Sequence, residues 1–154
     1  MAPMLFGCLK VLPATDPPCI LYLAFAIAGD GKAMYHAGAM FGSPLLVATL
    51  AAGVRAMRAS GIREEEALAL LGPMAAATVA NVQKQGLARG FSGPLVRGDA
   101  ATVKVHRKAL TKHPLVAQTY VALAGIAAQD LPSADRHAIQ AALTEGSVEN
   151  RRRR

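Results

Sequence analysis

The chain has 154 residues, 53% hydrophobic and 18% charged, a composition that excludes intrinsic disorder and suits one domain of closely packed small-residue helices. Its formal net charge is +7, but four of these charges come from the arginines at residues 151–154, so we interpret that end as a solvated tail and expect no nucleic-acid partner. Cys8 and Cys19 occur without a CxxC motif or a nearby histidine at metal-ligand spacing, which indicates free thiols in a cytoplasmic protein.

Residues 1–31 are expected to form a short irregular or single-strand leader. The prolines that break every helical period there are Pro3, Pro13, Pro17 and Pro18. The apolar run at residues 19–28 has the length of one buried strand and ends in a Gly-Asp-Gly turn. A secretory signal peptide is the alternative, because residues 26–28 resemble a small-residue cleavage site. We favour the strand, since no positively charged segment precedes the run and Asp16 does.

Residues 34–60 predict a central helix, buried on most sides. Residues 37–54 carry no charge, and Gly38 and Gly42 fall on one helical face, where a second backbone can approach closely. We therefore expect a homodimer through this face. Pro44 should kink the helix or divide it in two.

The length of this apolar run also permits a membrane span. Glycine, serine, threonine and proline dilute it, and its apolar residues are mostly alanine rather than leucine. A core helix of a globular protein is therefore favoured, and no membrane is expected as a partner.

The remaining helices are predicted from their start and stop signals. Gly61 is placed to end the central helix, and three glutamates at residues 64–66 suit the start of the next one. The expected apolar stripe of that helix is Leu68, Leu71, Ala75, Val79 and Val82. Pro73 should bend it and begin a second helix. A glycine-rich connection at residues 86–98 follows.

Asp99 is a plausible N-cap for a basic helix. Pro114 should open another helix, and Pro132 the last one, which Gly146 closes. The apolar side expected for the helix after Pro114 is Leu115, Val116, Thr119, Leu123 and Ile126. The prediction is a mainly α fold, a bundle of five to six helices.

Two segments resemble a known family. Residues 32–43, KAMYHAGAMFGS, resemble the K-x-x-Y-H-A-A-A-x-x-A-S-N helix start of Rossmann-like oxidoreductases related to pyrroline-5-carboxylate reductase and to deazaflavin-dependent NADP oxidoreductase. Residues 92–106, SGPLVRGDAATVKVH, resemble T-G-P-x-x-R-G-D-x-x-T-V-x-x-H in the C-terminal domain of unknown function of the same group. Pro44 departs from the family pattern, which has Asn there.

The resemblance implies a helical domain similar to the C-terminal domain of 6-phosphogluconate dehydrogenase, which forms the dimer, while a Rossmann domain binds NAD(P). Residues 25–30, FAIAGD, resemble the end of that Rossmann domain. We therefore expect a Rossmann remnant at 1–31, a helical domain at 32–146 and a basic tail at 147–154. The G-x-G at residues 29–31 lacks the rest of a dinucleotide fingerprint, so no cofactor is expected to bind this chain alone.

Candidate catalytic residues lie in the first motif. His36 can move a proton or orient a carbonyl, and the alternative is a packed histidine bonded to backbone. Tyr35 is a second candidate, although an amphipathic ring at the edge of a core explains it as well. Ser43, before Pro44, is a candidate nucleophile near His36.

Candidate substrate-binding residues lie in the second motif: Ser92, Arg97, Asp99 and His106. Arg97 can bind an anionic group, but a capping Asp99 with Arg97 locking the loop is the structural alternative, which we prefer. Ser92 lies one residue short of a G-x-S-x-G motif, because Pro94 replaces the final glycine. No loop carries the alternating carboxylates of a metal site.

The expected function is therefore the dimerisation and substrate-side domain of a Rossmann-like NAD(P)-dependent oxidoreductase, without dehydrogenase activity alone. The alternative is a small hydrolase of an ester, lactone or amide, with a Ser/His/Asp or metal-assisted site in the helical cleft.

Overall fold

The computed structural model describes residues 4–12, 19–27 and 31–145. Strands β1 (Met4–Leu12) and β2 (Cys19–Ile27) form a two-stranded antiparallel sheet. Its register runs from the Met4–Ile27 pair to the Leu12–Cys19 pair. β2 is the strand predicted from the apolar run, whereas β1 was not predicted from the sequence. The prolines that were expected to break this region lie outside β1 and leave its nine residues uninterrupted.

The predicted central helix is divided at Pro44. Helix α1 spans Lys32–Phe41 and α2 spans Pro44–Ala59. Gly61, with φ of +95°, ends α2 in the predicted manner: its N–H donates to the Arg58 carbonyl, and the Ile62 N–H donates to that of Met57. These two bonds are those of a Schellman motif.

The expected burial of this stretch is not found in the described part of the chain. No residue of α1 is buried, and Val54 is the buried residue of α2. The helical stretch Lys32–Ala59 is long and apolar enough to cross a membrane by length and composition, and 6% of its most apolar window is buried. Its exposed side chains, which include Met34, Phe41 and Val47, therefore present an apolar surface that the described residues leave uncovered.

The chain divides into two compact units, Met1–Val47 and Ala48–Arg154. The first holds the sheet, α1 and the start of α2. The second holds the remainder of α2 and all later helices. This boundary falls within α2; the division at residue 31 stays a prediction, and the predicted tail at 147–154 lies outside the described residues.

Helix α3 (Glu64–Gln85) continues through Pro73, contrary to the predicted bend and restart. Proline removes one backbone hydrogen bond and crowds the preceding turn, but the surrounding alanines and leucines are strong helix formers and carry the helix past it. Its N-terminus is stabilised as expected, because Glu66 accepts hydrogen bonds from the backbone N–H of Arg63 (3.1 Å) and from its guanidinium (2.9 Å). These bonds lower the pKa of Glu66, the guanidinium bond most.

A short helix, α4 (Leu87–Gly90), follows within the predicted glycine-rich connection. It packs against the end of α3 so closely that a Cβ on Gly90 would lie 2.9 Å from the Val82 backbone nitrogen. Glycine at residue 90 therefore permits the contact.

Helices α5 (Ala100–Leu110), α6 (Pro114–Asp130) and α7 (Arg136–Thr144) enclose the main core. Its buried members are Val103, Ala124, Ala128, Ile139, Ala142 and Leu143. Pro114 opens α6 as predicted. By contrast, α7 starts four residues after Pro132, because Asp135 caps it by accepting the Ala138 N–H at 2.9 Å.

The buried side of α6 also differs from the predicted apolar side. Alanines 124, 127 and 128 are buried with Val116, whereas Leu115 and Ile126 are 61% and 53% exposed. Small residues let α6 approach its neighbours closely, so the larger side chains remain outside this core.

The described residues thus form six helices of nine residues or more, together with α4 and the sheet. The fold class is mainly α, as predicted.

Candidate functional site

Most of the second motif builds the start of α5. The Asp99 carboxylate caps this helix, accepting the Thr102 N–H at 3.0 Å and the Thr102 hydroxyl at 2.6 Å. These two bonds lower the pKa of Asp99, the hydroxyl bond most; partial burial opposes the change, and the nearby charges of Arg97 and His106 add to it. Both carboxylate oxygens are occupied, so the capping interpretation of Asp99 is confirmed.

The loop before α5 is tied to the start of α7. The Ala134 N–H donates to the Val96 carbonyl at 2.8 Å, and the Ser133 hydroxyl donates to the Leu95 carbonyl at 2.7 Å. Gly98 has φ of +67°, and a Cβ there would lie 2.6 Å from the Asp135 backbone nitrogen. Close backbone packing and the left-handed conformation both favour glycine at residue 98.

Ser92 and Arg97 lie exposed on this loop. Ser92 follows α4 and the extended Phe91, so a helix rather than a strand precedes it, and the strand–turn–helix setting of a nucleophile elbow is absent from this part of the described chain. Their assignment to substrate binding stays a prediction.

His106, on α5, pairs with Tyr120, on α6. The His106 Nδ1 and the Tyr120 hydroxyl oxygen lie 3.1 Å apart, and the rings meet edge to face with centroids 5.8 Å apart. Burial raises the pKa of the half-buried Tyr120 hydroxyl. The pair holds the exposed imidazole in one orientation and leaves Nε2 as the ring nitrogen able to meet a ligand.

This pair lines a cavity of about 490 Å³ between the C-terminal end of α2, α5 and the start of α6. Ala56, Ala59 and Ala109 supply part of its apolar wall, while Lys112 and His113 add cationic or hydrogen-bonding groups. The volume suits a small organic molecule.

A second cavity, of about 510 Å³, adjoins the first and shares Ala59, Lys112 and His113 with it. Arg55 and Arg58 of α2 also line it. We call the two cavities together the α2–α5–α6 cleft. Its chemistry is that of a basic, partly apolar recess, which favours an anionic ligand.

Sequence reasoning found His106 but missed Tyr120, Lys112 and His113. Tyr120 is fourteen residues from His106. Its position against the imidazole depends on how α5 and α6 pack. A signal for the other two was present, since two basic residues directly precede the proline that opens α6.

The predicted catalytic residues lie in the first compact unit. Tyr35 is half-buried and His36 exposed, both on α1, while Ser43 is exposed in the turn between α1 and α2. Their roles stay predictions. Across the residues that the structure describes, no group of three or more histidine, cysteine or acidic side chains is arranged to hold a metal ion.

Residues 22–127 match the model of a protein family described as "Domain of unknown function (DUF2520)". The match includes both motifs, helices α1 to α5 and most of α6. Neither a curated protein nor a solved structure matches the chain.

Proposed function

The chain belongs to the DUF2520 family, a domain of unknown function, and from the resemblance of its two motifs we propose that it is the dimerisation and substrate-side helical domain of a Rossmann-like NAD(P)-dependent oxidoreductase. On this proposal the domain resembles the C-terminal domain of 6-phosphogluconate dehydrogenase and has no dehydrogenase activity alone. The two sequence motifs support the oxidoreductase relationship.

The observation that carries the dimerisation proposal is the uncovered apolar surface of α1 and α2. Met34 is 78% exposed, Phe41 58% and Val47 66%. Exposed side chains of this kind, in a stretch almost without charge, favour burial against another molecule. A Cβ on Gly38 would have no neighbour within 4 Å, so its position leaves room for a second backbone.

Sedimentation across a range of protein concentrations tests the dimer. We expect wild type to dimerise, and Gly38→Leu or Gly42→Leu to raise the dissociation constant at least about tenfold by blocking close approach. Gly72→Leu is the control, because residue 72 lies on α3 with open space at its Cβ. A wild-type monomer at micromolar concentration would contradict the proposal, as would stable partition of the chain into lipid vesicles in place of dimerisation.

Titration with NADPH tests the second half of the proposal. We expect no saturable binding to the purified chain, because the G-x-G at residues 29–31 lacks the rest of a dinucleotide fingerprint. Saturable binding would contradict a role limited to the substrate side.

The hydrolase alternative is a separate prediction that no described contact favours. A panel of esters, lactones and amides tests it. Turnover that is abolished by His36→Ala and preserved in the control His137→Ala would establish the hydrolase function. The absence of turnover across the panel would contradict it.

A further inference from the structure

We propose that the α2–α5–α6 cleft binds a small organic anion, with a phosphate or carboxylate group held by Arg55 and Lys112 and an apolar body lying against the alanine wall. This site goes beyond the dimerisation and cofactor roles proposed above. It involves residues of the second compact unit alone, and it stands whether or not the chain is part of an oxidoreductase.

The first observation is the charge of the cleft. Arg55, Arg58, Lys112 and His113 all line its second cavity, and among the described residues that line the two cavities none is acidic. Arg58 is neutralised in part by Glu64, 3.1 Å away. The ion pairs of the described residues include neither Arg55 nor Lys112. Two positive charges from different segments therefore line one recess without a counter-ion from the described part of the chain, and a bound anion can supply one.

The second observation is the apolar wall next to these charges. The first cavity is lined by Ala56, Ala59 and Ala109 as well as by Lys112, His113 and the His106–Tyr120 pair. Small apolar side chains leave space for a ligand body of modest size, and the His106 imidazole offers a hydrogen-bonding group in the same cavity. A ligand with one anionic group and one apolar or weakly polar body fits this combination of lining residues.

Titration followed by NMR of backbone amides and histidine rings tests the proposal, with phenyl phosphate and benzoate as probes. We expect saturable shifts at His106, Lys112 and His113 for at least one probe. The probe with the lower dissociation constant shows whether the cleft prefers phosphate or carboxylate. Benzyl alcohol, which has the ring without the charge, should bind at least about tenfold more weakly, as the loss of one close ion pair at the surface predicts.

Charge-reversal variants inside and outside the cleft test whether its two cations hold the probe. Arg55→Glu and Lys112→Glu should each weaken binding of the preferred probe about tenfold. Lys84→Glu makes the same charge change on α3, outside both cavities, and should leave affinity within about twofold. Retained helix content in circular dichroism shows that each variant is folded.

Three results would overturn the proposal. They are the absence of saturable shifts at the cleft with either probe, an equal loss of affinity in Lys84→Glu and Lys112→Glu, and binding of inorganic phosphate as tight as that of phenyl phosphate. The last would show that the apolar wall contributes nothing. Dimer dissociation in Gly38→Leu with probe binding retained would separate this site from the dimerisation surface.

Discussion

At residue 98 the backbone of the loop before α5 passes so close to α7 that a methyl group would meet backbone atoms. Gly98→Ala places that methyl 2.6 Å from the Asp135 nitrogen and imposes φ of +67° on alanine. We expect a loss of about 2–4 kcal/mol in the free energy of unfolding, measured by urea denaturation. Gly125→Ala, inside α6 with open space at its Cβ, should stabilise by up to about 1 kcal/mol. Equal effects of the two substitutions would contradict the packing argument.

Asp99 gives a prediction with a defined pH dependence. Its pKa is lowered in the folded protein, so its stabilising effect is present above the ordinary aspartate pKa of about 4 and is lost as pH falls through the lower folded pKa. Asp99→Ala should therefore lower the melting temperature by a few degrees at pH 7, with the difference from wild type shrinking toward pH 3.

Asp99→Asn is the control for this prediction, because asparagine caps helices without titrating. It should retain most of the wild-type melting temperature at pH 7 and show no loss of capping at low pH. A difference between wild type and Asp99→Ala that stays constant from pH 7 to pH 3 would show that the carboxylate charge is irrelevant to the cap.

Among the elements, α7 depends most directly on the shared core. Ile139 is fully buried between α5, α6 and α7, so Ile139→Ala should cost about 3–4 kcal/mol in unfolding free energy. Ile126→Ala removes the same atoms from a side chain that is 53% exposed and should change stability by less than about 0.5 kcal/mol. Thermal unfolding of both variants measures the contrast, and comparable losses would contradict the position of the core.

The elements that sequence reasoning predicted are those with local determinants. Gly61 and Asp99 act through hydrogen bonds within one turn, Pro114 acts through its fixed φ at the start of α6, and all three lie where expected. β1 is different, because its hydrogen bonds come from a partner strand elsewhere in the chain. Continuation of α3 through Pro73 depends on a balance between one lost bond and many favourable residues, which the position of the proline alone does not settle.

The α2–α5–α6 cleft could be predicted only in part from the sequence, because it depends on the packing of helices that are distant along the chain. His106 was identified from its motif, but the cavity arises where three helices meet, and no spacing along the chain places Arg55 beside Lys112. The exposed side of α6 was misjudged as well, because leucine and isoleucine are usually buried in preference to alanine. In α6 the close approach of the neighbouring helices leaves room only for alanine on much of the buried side, so leucine and isoleucine lie on the exposed side.

At the scale of the whole molecule, the buried residues are distributed unequally among the helices. Of the ten buried residues in the described part of the chain, eight lie in α5, α6 and α7, whereas α2 and α3 contain one each. A chain arranged in this way is expected to gain stability when another molecule covers its remaining apolar surface. Dilution should therefore lower the melting temperature of wild type by several degrees, and less so for Gly38→Leu, which is already dissociated. Scanning calorimetry at two concentrations measures this.

The confinement of the core to α5–α7 also governs which backbone amides exchange with solvent. Exchange of backbone amides in deuterium oxide should be slowest in α5–α7. It should be faster by orders of magnitude in α3, because few side chains of that helix are buried and little packing opposes its local opening. Proteases should accordingly cut first near the glycines between α3 and α5 and leave a resistant C-terminal fragment. The mass of that fragment identifies the smallest part of the chain that folds independently.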